Sequence, residues 1–183
     1  MQNKYIGVIG SRSLPAIYKP KVKKAVRQLL DKGYNIATGG AMGTDAFVLQ
    51  SLLELGAAKR GVVFSAWKHA NQFPLAVKER VKEFISLGGR VVWGDVPFHA
   101  HRNAIVAGLL GRNIRLVANV AGIVAFMHGN SRGTSFTAQK AVRKNIPVQI
   151  VRISGMFLPP PKNMPLTSPM KGAVSYDHQN TNN

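Results

Sequence analysis

Asn35-Ile36-Ala37-Thr38-Gly39-Gly40-Ala41-Met42-Gly43-Thr44-Asp45 decides the fold of this 183-residue chain. A short apolar run passes into a turn carrying three glycines, and Thr44 and Asp45 are suited to cap the helix that follows. Two further stretches repeat the arrangement. Residues 5–9 lead into Gly10-Ser11-Arg12-Ser13, and residues 123–127 lead into Gly129-Asn130-Ser131-Arg132-Gly133-Thr134-Ser135. In an open parallel sheet such turns gather at the carboxyl ends of the strands, the edge at which α/β folds bind ligands.

Outward from these turns the hydrophobic pattern alternates. Strands are expected over 5–9, 34–38, 61–65, 90–93, 122–127 and 147–153. Helices are expected over 20–32, 45–55, 74–87, 102–110 and 134–144, and a helical pattern resumes over 111–120. Pro20 opens the first helix and Gly33 stops it. Val22, Ala25, Val26, Leu29 and Leu30 form its apolar face. Lys21, Lys23, Lys24, Arg27 and Lys32 fall largely on its other sides, as a solvated surface or as contacts to a polyanion. The whole predicts an α/β, Rossmann-like doubly wound, mostly parallel sheet with helices on both faces. Residues 1–155 make this one domain. Residues 156–183 carry Pro159-Pro160-Pro161, Pro165 and Pro169 and a polar end. They are expected to be an extended or disordered tail, or a strap whose Met156, Phe157, Leu158 and Met164 reach a neighbouring subunit.

Composition narrows the function. Hydrophobic residues make up 45% of the chain, ample for a core, and cysteine is absent, which excludes disulfides and cysteine-ligated zinc. No apolar stretch reaches the roughly 18 residues of a membrane span, and no signal-peptide core follows the N-terminus. A cytoplasmic protein with no membrane partner is the expectation. Lys and Arg number 25 against 7 Asp and Glu, giving net charge +18. From residue 96 onward Asp177 is the sole acid, among ten basic residues. Such imbalance attracts polyanions, because each neutralised phosphate releases a counterion.

Each turn carries chemistry for phosphate. Gly10 permits a sharp bend, Ser11 and Ser13 offer hydroxyls, and Arg12 offers a planar fork. Gly39, Gly40 and Gly43 permit close backbone approach. Thr44 and Asp45 either cap the next helix or meet a ribose or base donor. Gly133, with Thr134, Ser135 and Thr137, stands at a helix start suited to an anion. The turns are not a Walker loop, since no Gly-Lys-Ser/Thr follows the glycines, nor a dinucleotide fingerprint. Arg102 opens a helix, where its charge opposes the dipole; an anion or a salt bridge would resolve that conflict. Asn103 is either a cap or a base-edge contact. His99 and His101 lack a third ligand in metal-binding spacing, so neither a metal nor a cofactor is expected. Among the aromatics Tyr34, Trp67, Phe73, Trp93 and Phe98, the last is best placed for base stacking, beside Arg102.

Four segments, in order, resemble the SLOG superfamily and within it the DNA-processing protein A family, recombination mediators that bind single-stranded DNA. They are Val8-Ile9-Gly10-Ser11-Arg12, Thr38-Gly39-Gly40-Ala41-Met42-Gly43-Thr44-Asp45-Ala46, Phe98-His99-Ala100-His101-Arg102-Asn103, and Gly133-Thr134-Ser135-Phe136-Thr137-Ala138. The family pattern has Arg where Met42 stands and a second Arg where Ala104 stands. Residues 111–120 look like an addition, and no winged-helix domain follows the core. The resemblance implies a pocket built from Gly10, Ser11, Arg12, Gly39, Gly40, Gly43, Arg102, Asn103, Gly133, Thr134 and Thr137. It also implies single-stranded DNA or RNA as partner, self-association (to which apolar surface over 109–120 would contribute) and contact with a recombinase. SLOG relatives include phosphoribohydrolases with Pro-Gly-Gly-x-Gly-Thr-x-x-Glu. Here Thr137 holds the glutamate position, and Asp45 is the one carboxylate in the three turns. A non-enzymatic nucleic-acid binder is therefore the expectation, with a small-nucleotide sensor as the alternative.

Overall fold

The computed structural model describes residues 4–153; the expected tail over 156–183 lies outside them. In chain order these residues form β1 (Tyr5–Gly10), α1 (Lys19–Asp31), β2 (Asn35–Thr38), α2 (Thr44–Glu54), β3 (Gly61–Phe64), α3 (Leu75–Ser86), β4 (Arg90–Val92), α4 (Arg102–Ala118), β5 (Gly122–His128), α5 (Arg132–Arg143) and β6 (Val148–Ile153). The sheet order is β4-β3-β2-β1-β5-β6 and every pairing is parallel. This is the expected Rossmann-like doubly wound sheet. The winding reverses between β1 and β5, which makes the crevice between them the topological switch point.

Side chains of β1 alternate between two cores, as strand geometry dictates. Ile6 and Val8 join Val22, Val26, Leu49 and Phe84 beneath α1, α2 and α3. Ile9 joins Leu116, Val117, Ala138 and Ala141 beneath α4 and α5. Burial on both faces explains why β1 and β5 read as continuous apolar runs.

The two helical patterns over 102–110 and 111–120 are one helix; α4 runs unbroken from Arg102 to Ala118. Gly111 does not interrupt it, and a side chain there would meet open space. A mid-helix glycine costs about 1 kcal/mol relative to alanine. Leu116 and Val117, both 1% exposed, more than offset it, since full burial of each contributes roughly 1.5–3 kcal/mol. The helix α5 also begins two residues before the expected Thr134.

Candidate functional site

A cavity of about 430 Å³ opens at the switch point. The turn after β1 lends it Gly10, Arg12 and Ser13, and the turn after β2 lends Gly39, Ala41 and Asp45. The third turn lends Asn130, Ser131, Arg132, Gly133 and Thr134, with Thr137 behind them. The remaining wall is α4, through Val106, Leu109, Leu110, Arg112, Asn113 and Leu116. Three of the expected turns thus meet in one concavity.

Several expected contacts instead hold the turns together. Ser11 is buried; its Oγ donates to the His128 carbonyl at 3.0 Å and accepts from the His128 N–H at 2.8 Å. Thr44 is buried too, and both its hydroxyl and its N–H donate to the Ser11 carbonyl at 3.2 Å. Gly43, at φ +70°, lies against the Arg12 backbone, where a side chain would collide. Gly40 packs beneath Phe73, away from the cavity. Ser135 closes the first turn of α5 with its N–H on the Ser131 carbonyl. Ser11, Gly40, Gly43, Thr44 and Ser135 therefore shape the site without lining it.

The structure adds a residue that the motifs did not supply. Arg112 is 5% exposed and stands 3.4 Å, Nη1 to Oδ2, from Asp45, itself 5% exposed. The same carboxylate oxygen accepts from the Ala41 N–H at 3.2 Å. Gly39 makes the arrangement possible, because a side chain at that position would occupy the space of the guanidinium. The pair is poorly satisfied: 3.4 Å is long for a charge-assisted bond, and Arg112 Nε is buried without a partner among the described residues. Burial raises the Asp45 pKa above its ordinary 3.8 against the pull of Arg112, and burial lowers that of Arg112. Both partners thus report that desolvation exceeds their attraction. The sequence signal was an arginine within the inward stripe Leu109, Arg112 and Leu116, at helical spacing.

Arg102 and Asn103 are exposed in the first turn of α4 and do not line the cavity. Arg102 forms no ion pair among the described residues. It lies four residues before Val106, a lining residue, on the same face of α4. His101 caps this helix, its Nδ1 accepting from the Ala104 N–H at 3.2 Å. Phe98 is 68% exposed and meets His99 edge-on, whereas Phe73 is buried. The apolar surface expected over 109–120 divides: Leu116, Val117 and Val120 face the sheet, while Leu110 and Ile114 are exposed with Val106. No helix of the described residues is long and apolar enough to cross a membrane.

The family model described as DNA recombination-mediator protein A matches residues 1–160. The chain belongs to that family. Among solved structures, DNA processing protein A from Helicobacter pylori, which binds single-stranded DNA, superposes with TM-score 0.65 at 19% identity. That alignment covers 81% of this chain and 65% of the other. DNA processing protein A from Streptococcus pneumoniae gives 0.65 at 20% identity, over 85% of this chain and 52% of that one. The chain thus spans about two thirds and about half of these two relatives. A molybdenum cofactor binding protein from Rippkaea orientalis shares the fold at TM-score 0.58 and 16% identity, covering 84% of this chain and 79% of that one. No curated protein matches the chain.

Proposed function

We propose that this member of the family is a non-enzymatic protein that binds single-stranded nucleic acid at the carboxyl edge of its sheet, in DNA processing or recombination. One observation carries the reading: Arg12, Arg132 and the first turn of α5 converge on a single cavity at the switch point of a chain with net charge +18. The α5 turn offers backbone N–H groups to an anion. Among the described residues its N-cap Ser131 makes no side-chain cap bond, and Ser131 Oγ instead pairs with Thr134 Oγ1 at 2.7 Å. Arg12 is exposed and suited to phosphate, and exposed Arg102 and Phe98 extend the track beyond the rim, one for phosphate and one for stacking. Asp45 is engaged by Arg112 and Ala41, which argues for a structural carboxylate rather than a catalytic one. Ile114, exposed on α4 and outside the cavity lining, is the part of the 109–120 surface this reading assigns to self-association.

Fluorescence anisotropy with a labelled strand of about twenty nucleotides, against the matching duplex over a salt series, tests the proposal. The expected result is preference for the single strand and a steep salt slope. Arg12→Ala and Arg132→Ala should each weaken binding by about 1–3 kcal/mol and flatten the slope. Equal, weak binding to strand and duplex would reject it. A second reading, a small-nucleotide sensor, is favoured by the size of the cavity and its apolar α4 wall. Mononucleotide binding with a shallow salt slope would select it.

A further inference from the structure

We infer that the cavity receives a terminal nucleotide phosphomonoester, on a strand end or a free mononucleotide, with Arg112 as its deepest contact. The inference rests on reading the cavity as a nucleotide site, and specifies which kind of phosphate that site selects.

Charge is the first ground. The charged side chains of the lining are Arg12, Arg112 and Arg132 against Asp45, leaving a net +2. The positive end of α5 adds to this. A phosphomonoester carries about −1.5 to −2 at pH 7, whereas a phosphodiester carries a single negative charge. The monoester is the better complement.

Depth is the second ground. Arg12 and Arg132 are exposed and accessible to a phosphate anywhere along a strand. Arg112 lines the same cavity but is 5% exposed. An internal phosphodiester has chain leaving from both sides, and both must pass the mouth if it descends to that depth. A terminal phosphate has chain on one side only. The adjoining nucleotide then lies against Val106, Leu109 and Leu110, the apolar wall of α4.

Incomplete satisfaction is the third ground. Among the described residues Arg112 Nε is buried without a partner, and the 3.4 Å contact to Asp45 leaves the guanidinium weakly held. Buried polar groups are normally paired, so a buried donor left over on a residue that shares the cavity with an uncapped helix start is what an anion bound there would explain.

The test compares strands of one sequence that end in a 5′-phosphate, a 3′-phosphate or hydroxyls only, together with a closed circle. Binding of the native protein is read by competition. In parallel, thermal shift compares a nucleoside 5′-monophosphate with its 3′,5′-cyclic diester. At least one phosphate-ended strand is expected to bind tenfold or more tightly than the hydroxyl-ended strand and the circle. That difference should collapse in the Asp45→Asn/Arg112→Gln variant, which keeps a polar pair without charge. Equal binding of all four strands would overturn the inference and leave the nucleic-acid reading standing. Stabilisation by the monophosphate but not the cyclic diester, without strand binding, would support the inference with a free nucleotide as ligand and reject the strand reading. If neither strands nor nucleotides bind, both fall. Should the double variant not fold, the ligand series on the native protein decides.

Discussion

Two acidic residues in α2, nine positions apart, meet opposite fates. Glu54 sits at the surface between Lys19 Nζ at 3.0 Å and Lys23 Nζ at 2.7 Å, each bound to its own carboxylate oxygen. Asp45 sits at the cavity wall with one arginine at 3.4 Å. Hydrogen bonds from Lys23 and then Lys19 lower the Glu54 pKa to about 2, while burial raises that of Asp45. The surface cluster is geometrically complete and energetically small, as exposed pairs are. The buried pair is geometrically incomplete and energetically costly. A fold gains little by keeping such a pair for stability alone, since apolar side chains of similar volume commonly serve as well or better. The contrast is what the proposed site asks of Asp45 and Arg112, whereas Glu54 clamps α1 to α2.

The largest effect should come from opening the buried pair on one side. Arg112→Ala leaves Asp45 as an uncompensated buried carboxylate and is expected to cost about 3–5 kcal/mol in urea unfolding. Asp45→Asn/Arg112→Gln should cost clearly less. If the single and double variants lose the same stability, the pair is not coupled and the contrast with Glu54 fails. Gly39→Ala comes next. Its new methyl enters the space of the guanidinium, and overpacking of this kind costs about 1–3 kcal/mol. That loss should shrink when Arg112 is shortened as well, which a double-mutant cycle measures.

These effects also show what a sequence displays and what it conceals. The sheet was legible because β1 and β5 are buried on both faces and carry apolar runs between helical periods. The edge of the sheet that carries the cavity was legible from the three glycine turns. The division of labour within those turns was not. Ser11 and Arg12 are adjacent, yet Ser11 turns inward to His128 while Arg12 stays exposed. A hydroxyl that staples two turns looks like a hydroxyl that awaits phosphate until the partner strand is placed. Arg112 escaped for a related reason. Gly39 and Arg112 are 73 positions apart, and only the packing of α4 over the sheet makes the absent side chain of one the space for the other. Arg102 drew attention by its motif, but it is exposed in the first turn of α4 and outside the cavity lining.

The smallest effect belongs to the surface cluster, and its pH dependence separates the two acids by sign. Glu54→Gln should cost no more than about 1 kcal/mol at neutral pH, diminishing with salt. Its folded-state pKa lies below the ordinary 4.5, so its contribution is present above 4.5 and is lost as pH falls towards about 2. Asp45 behaves oppositely. Its folded-state pKa is raised, so its contribution is present below 3.8 and is lost as pH rises through the elevated native value. Unfolding free energies of native protein, Glu54→Gln and Asp45→Asn across acid pH should therefore give difference curves of opposite slope. Parallel curves would mean that the buried carboxylate is as well solvated or as well paired as the exposed one. Arg112 would then be fully compensated by Asp45, and the charge left to a ligand would be that of Arg12 and Arg132.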